Sequence, residues 1–275
     1  MHNRSVRHSK FNLPSMREMW KALGEYDALA QYLELTSRKF QSEYAKIDGL
    51  SFAEFLTQEA QKEDVPTRNL TLNNYLSYKI MMFLTLPYSS FDHFIDEFKN
   101  DYNKLFGQRL EMDGDGSNYD KLIKALKKNG ICPQIDKFKV DLFNYYRLVR
   151  NVFAHQCDTI TKINHAFSAI DKKQVTDYYT TLAEPKSYNQ LVFNDYVLCT
   201  ANIKNISDII TESLGEKVDW LDYARRNANQ FKKLKGRTLT NRVYHSIMNS
   251  VSSDYGIILD VELCKQMYSV IMEEL

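Results

Sequence analysis

Apolar residues recur along most of this chain at intervals of three and four, the spacing that gathers side chains onto one face of an α-helix. Ser15-Met16-Arg17-Glu18 reads as a capping box, and Trp20, Leu23, Leu29 and Leu33 follow at roughly helical spacing. Ser51-Phe52-Ala53-Glu54 is a second capping box, opening a shorter helix that fades near Asp64, and Pro66 marks a break. Thr71 is placed to cap a helix carrying Leu72, Leu76, Ile80 and Phe83, which Pro87 should end. Another follows Ser90 through Phe91, Phe94, Ile95, Phe98, Tyr102 and Leu105 to a stop at Gly107. Ser117-Asn118-Tyr119-Asp120 starts a lysine-rich helix whose natural C′ residue is Gly130.

The next helix, from about Gln134, has the clearest pattern. Phe138, Leu142, Tyr146, Val149 and Phe153 fall at i, i+4, i+8, i+11 and i+15, one continuous stripe expected to be buried. From Gln156 to Gln190 the pattern loosens, which predicts loop with short helical or extended pieces. A strong helix returns from about Asn194 to Leu214, turning Cys199, Ile203, Ile206 and Ile210 inward, with Gly215 as its stop. Beyond it lie Val218 to Leu234, a basic turn around Gly236, and a terminal helix from Asp260. That last helix gathers Cys264, Met267, Tyr268, Ile271 and Leu275 on an apolar face. Only nine glycines and five prolines leave little punctuation for a many-stranded sheet. The expectation is an all-α protein: a central helical bundle over 67–215, a helical extension over 1–66 and another over 216–275.

Charge and cysteine usage narrow the class. The net charge of +1 gives no global attraction to nucleic acid, so any such site must be a local basic patch. Cys132, Cys157, Cys199 and Cys264 are widely separated and contain no CxxC pair, which argues against structural zinc and a disulfide framework. Free cysteines and a basic start without an apolar core point to the reducing cytoplasm. The most apolar run, Ile80 to Leu86, is far short of the ~20 residues a membrane span needs, so no membrane partner is expected.

Chemistry concentrates in Leu148-Val149-Arg150-Asn151-Val152-Phe153-Ala154-His155, at the end of the strongly patterned helix. Arginine is permanently cationic and offers a planar fork of donors to phosphate oxygens. Histidine exchanges protons near neutrality. An arginine for the phosphate and a histidine for the proton are what RNA cleavage without a metal needs. In a regular helix, residues five apart point about 140° from each other. Arg150 and His155 should therefore converge only if the helix breaks before His155 or if two chains meet.

The Arg150-Asn151-x-x-x-His155 element resembles the signature of HEPN domains (higher eukaryotes and prokaryotes nucleotide-binding), many of which are ribonucleases of toxin–antitoxin and antiviral systems. Ala154 before the histidine and the aliphatic pair before the arginine are also usual there. The resemblance covers about half the chain and implies a helical bundle with one more long helix after the signature. It also implies a homodimer in which two motifs face each other over a composite cleft. The implied reaction is attack by the ribose 2′-OH, leaving 2′,3′-cyclic phosphate and 5′-OH ends, with no cofactor and no metal. His155 would carry the proton, Arg150 would stabilise charge on the phosphoryl oxygens, and Asn151 would orient the histidine or bind phosphate. Where one branch of the family has an adenylylated tyrosine this chain has Cys157, so silencing by that route is not expected. An antitoxin or other regulatory partner protein remains implied.

Arg147, one turn before Asn151, could add a phosphate contact or be a solvated helix arginine. Arg225, Arg226, Lys232, Lys233, Lys235, Arg237 and Arg242 form a basic run without an intervening acid, with Phe231 inside it. It is either an RNA-backbone surface or a solvated basic face. Lys121, Lys124, Lys127 and Lys128 read as a solvated helix. Asp113-Gly114-Asp115-Gly116 begins like a calcium loop, but Asn118 and Lys124 stand where glycine and glutamate are needed. His93, His165 and His245 lack partners at metal-ligand spacing. The alternatives to a nuclease are a non-catalytic dimerisation or partner-binding module and a nucleotide sensor.

Overall fold

A computed structural model describes residues 10–155 and 159–275, and among these the chain is all-helical with no strand. Eleven α-helices are described: α1 Pro14–Tyr44, α2 Phe52–Lys62, α3 Leu72–Phe106, α4 Asn118–Lys128, α5 Lys137–His155 and α6 Ile160–Ala169. The remainder are α7 Lys172–Tyr178, α8 Phe193–Gly215, α9 Trp220–Arg226, α10 Asn241–Tyr255 and α11 Val261–Glu274. Short 3₁₀ segments occupy Tyr188–Gln190 and Ala228–Leu234. No described helix is long and apolar enough to cross a membrane.

The chain forms two compact units, each discontinuous in sequence. One, here the motif unit, comprises Lys21–Ser90 and Ile135–Lys204. The other, the C-terminal unit, comprises Phe91–Gln134, Asn205–Leu275 and the described part of Met1–Trp20. This division does not follow the three segments 1–66, 67–215 and 216–275, because α1, α3 and α8 each give residues to both units.

Two helix starts behave as the sequence dictates. Ser51 and Glu54 exchange the reciprocal hydrogen bonds of a capping box at α2, and Ser117 and Asp120 do so at α4. The start of α1 differs. Pro14 opens the helix, where its missing N–H costs nothing, and the backbone N–H of Ser15 donates to the Asp101 carboxylate at 3.0 Å. Asp101, 86 residues away, replaces the expected local box.

Pro87 does not end a helix; α3 runs through it. Proline removes one rung of the helical ladder, at a cost of about 3 kcal/mol in an interior position. Burial on either side offsets this: Ile80, Met81, Phe83 and Leu84 precede Pro87, and Tyr88, Phe91, Phe94 and Ile95 follow it, all buried. A further difference is α10, where a basic turn alone was expected before the terminal helix. Its buried face is Val243, Ile247, Val251 and Tyr255, and it closes on Gly256 in the left-handed region at φ 73°.

In the C-terminal unit, Phe11, Trp220, Tyr223 and Tyr255 form an aromatic cluster, with Phe11 stacked on Tyr255 at 5.9 Å. Cys264, Met267 and Ile271 turn the buried face of α11 inward, whereas Tyr268 and Leu275 are only half-buried. In the motif unit, Phe40 and Tyr44 of α1 meet Phe52 and Phe55 of α2 at 4.9 to 6.2 Å. Asp195 at the start of α8 is fully buried and accepts from Tyr146 Oη and from the backbone N–H groups of Lys186 and Val192, all at 2.8 to 2.9 Å. It ties the 183–192 segment to α5. A second buried pair, Lys79–Glu34 at 2.7 Å, joins α3 to α1, with Ser37 and Arg38 completing its hydrogen bonds.

Candidate functional site

The candidate residues lie on α5, which is fixed by its buried face. Phe138, Leu142, Tyr146 and Val149 are buried as expected, and Phe143 and Tyr145 widen the stripe. Burying four such side chains contributes about 1.5–3 kcal/mol each, so the register of the helix is set well before its last turn. Phe153, expected as the fifth member, is 37% exposed. It meets Tyr78 of α3 with ring centroids 6.2 Å apart. Around them Leu33, Tyr75, Met82 and Phe83 line an open apolar cleft of about 340 Å³.

The helix does not break before His155, and yet the pair converges. Nη1 of Arg150 lies 2.8 Å from His155 Nε2 and donates to Asn151 Oδ1 at 3.1 Å. The expected divergence of 140° is a property of the Cα–Cβ directions. The long arginine side chain overrides it by following the exposed end of the helix. A guanidinium only donates, so a hydrogen bond here requires Nε2 to accept, the tautomer with its proton on Nδ1. The Nε2 lone pair then faces a cation, and the same Nη1 is shared with Asn151 Oδ1.

Behind the pair, the site is half out of water. Arg147 and Arg150 are both partly buried, and the Nε of each is sealed from solvent without a hydrogen-bond partner. Tyr88 lies within reach of both charges; burial pushes its hydroxyl well above the ordinary tyrosine range, and the two arginines oppose that shift. Tyr88 donates to the Phe143 carbonyl and neighbours Cys199, whose thiol burial likewise pushes up. Tyr88 and the Phe153 cleft escaped the sequence reading. The only signal for the cleft was that Phe153 is the last member of its stripe.

The basic run divides. Arg226 is structural: it donates from Nη2 to the Leu105 carbonyl at 2.6 Å and pairs with Asp222 at 2.9 Å, closing the end of α3. Its side chain lies where a Cβ on Gly107 would sit, only 2.6 Å away, and Gly107 adopts φ +65°. Arg225 lies 3.9 Å from Asp222 and 3.8 Å from Glu274, and Lys235 donates to the Leu275 carbonyl. Phe231 is buried and is not a stacking surface for bases. Lys232, Lys233, Arg237 and Arg242 are exposed and make no ion pair among the described residues. All seven belong to the C-terminal unit, whereas Arg147, Arg150, Asn151 and His155 belong to the motif unit. Cys157 lies outside the described residues.

No family model, curated protein or solved structure matches this chain.

Proposed function

We propose that this protein is a metal-independent endoribonuclease of a defence or toxin–antitoxin system, acting through Arg150 and His155. The observation that carries the reading is the 2.8 Å contact between Arg150 Nη1 and His155 Nε2, which brings a phosphate-binding cation and an imidazole nitrogen to one point. An RNA phosphate competes with His155 for the guanidinium. Once Arg150 turns to the phosphoryl oxygens, the Nε2 lone pair is free to take the proton of the adjacent 2′-OH. The 2′ oxygen bonds to phosphorus, the bond to the 5′ oxygen breaks, and that oxygen leaves with the proton His155 took, which returns the imidazole to its starting form. Arg150 stabilises the charge that builds on the nonbridging oxygens, and Asn151 limits how far it swings.

The HEPN-like resemblance adds a homodimer and a restraining partner protein to this reading. The geometric case for two chains is weaker than the sequence alone suggests, because one chain already brings its arginine and histidine together. A cytoplasmic setting fits the free thiols of Cys132, Cys199 and Cys264. The test is incubation of the purified protein with total RNA in EDTA, followed by end analysis. Fragments with 2′,3′-cyclic phosphate and 5′-OH ends support the reading, and intact RNA defeats it.

A second reading is favoured by the apolar cleft beside Phe153. In it the same unit is a non-catalytic partner-binding or nucleotide-sensing module. It requires binding at the site with no RNA turnover under any condition.

A further inference from the structure

Arg147 and Arg150 stand three residues apart on α5, the spacing that puts two side chains on one helix face. Both are half-buried and both hold an unpartnered, sealed Nε. Among the described residues neither makes an ion pair, and Arg147 makes no side-chain hydrogen bond at all. Arg226 and Arg38 differ in this. Arg226, with 26% of its side chain exposed, has a carboxylate and two carbonyls; even Arg38, 67% exposed, has Glu34.

Like charges at this spacing repel, and withdrawing them from water strengthens the repulsion. A buried donor left unmade costs more than a made one returns. Neighbours give only neutral partners, Asn151 Oδ1 and His155 Nε2 at Arg150 Nη1, and no anion; both guanidinium groups also act on the buried Tyr88 hydroxyl, whose proton goes to the Phe143 carbonyl. What would relieve both residues at once is an anion with several acceptor oxygens and a geometry matched to planar forks, which is a phosphate.

We propose that Arg147 and Arg150 together form a phosphate-binding site on α5, in which Arg147 holds the phosphate and Arg150 is shared between it and His155. Arg147 is therefore a working part of the site rather than a solvated helix arginine. The site accepts a phosphate monoester or diester whether or not the chain cuts RNA. That the bound phosphate is the scissile one rests on the ribonuclease reading.

The experiment follows the arginine Nε–Hε signals of the full chain by ¹⁵N NMR during titration with inorganic phosphate, with chloride at matched ionic strength as the control. Arg147→Lys and Arg150→Lys assign the two signals, and their circular dichroism checks the fold. Saturable shifts of both signals with phosphate, absent with chloride, are expected. Arg147→Gln should weaken phosphate about tenfold or more, the loss of a charge-assisted pair of hydrogen bonds. On RNA it should raise KM far more than it lowers kcat, the behaviour of a group that binds ground and transition states alike. Signals that move no further with phosphate than with chloride overturn the site, as does an Arg147→Gln protein of unchanged phosphate affinity. Phosphate binding without RNA cleavage leaves the site standing and removes the nuclease. RNA cleavage with an unmoved Arg147 signal does the reverse.

Discussion

If the proposed ribonuclease reading holds, replacing His155 with alanine separates catalysis from stability, because the two expected effects differ greatly in size. The side chain is exposed, and among the described residues it makes one hydrogen-bond contact, to Arg150. Arg150 keeps its bond to Asn151 and turns the vacated hydrogen to water. Loss of one such bond costs about 1 kcal/mol or less, which for a protein of this size lowers Tm by only about 2–4 °C. The rate should fall far more. Removing the group that moves the proton forfeits about 10²–10⁴-fold, equivalent to about 3–5 kcal/mol in the barrier. His155→Asn refines the test, since an amide oxygen can still accept from Arg150 but cannot carry the proton. The assay is cleavage of a defined RNA in EDTA, beside a thermal melt of each variant. A His155→Asn protein that cuts at the wild-type rate, or a His155→Ala protein that melts more than about 10 °C early, would refute the argument.

Lys79→Met leaves Glu34 buried with only the exposed Arg38 as partner, and should cost about 3 kcal/mol in a denaturant titration. Burial pushes the Glu34 carboxyl up, but Lys79 and Arg38 outweigh it and hold the group below its ordinary value of 4.5. Its contribution is therefore present above that pH and is lost as pH falls through the lowered folded value. The variant should unfold at higher pH than wild type in an acid titration, and identical acid midpoints would count against the pair. Changing Lys232, Lys233 and Arg237 to glutamate should weaken RNA binding and flatten its salt dependence while sparing the rate at saturating RNA. Unchanged affinity would leave these exposed cations a plain solvated face. Sedimentation at micromolar concentration should show a symmetric dimer, and a monomer that still cuts RNA would remove the composite cleft.

Local chemistry was the most legible part of the fold. The capping box at Ser51 forms as the sequence implies, and the helix start expected at Ser117 is closed by a capping box of its own with Asp120. Pro87 and Ser15 were misleading for one shared reason. Each local rule was overridden by something distant in sequence: core burial on either side of the proline, and the Asp101 carboxylate at the N-terminus of α1. The face of α10 was readable at a four-residue interval, yet the basic residues before it masked the pattern. At the candidate site, the residue types and their place at a helix end were visible. Their convergence was not, because periodicity tracks the backbone and says nothing of how far an arginine reaches. In the same way, no sequence rule marks Arg226 as the cap of α3 while Lys232 stays in solvent.

Cys199 gives the motif unit a chemical clock. Its thiol is 1% exposed beneath α5, beside Tyr88, whereas Cys132 is exposed. A thiol reagent should mark Cys132 at once and reach Cys199 only when the surroundings of α5 part. The lag between the two reactions measures the free energy of that opening, on the time scale of the native protein rather than of its denaturation. Ligands that settle on Arg147 and Arg150 should lengthen the lag in proportion to their affinity.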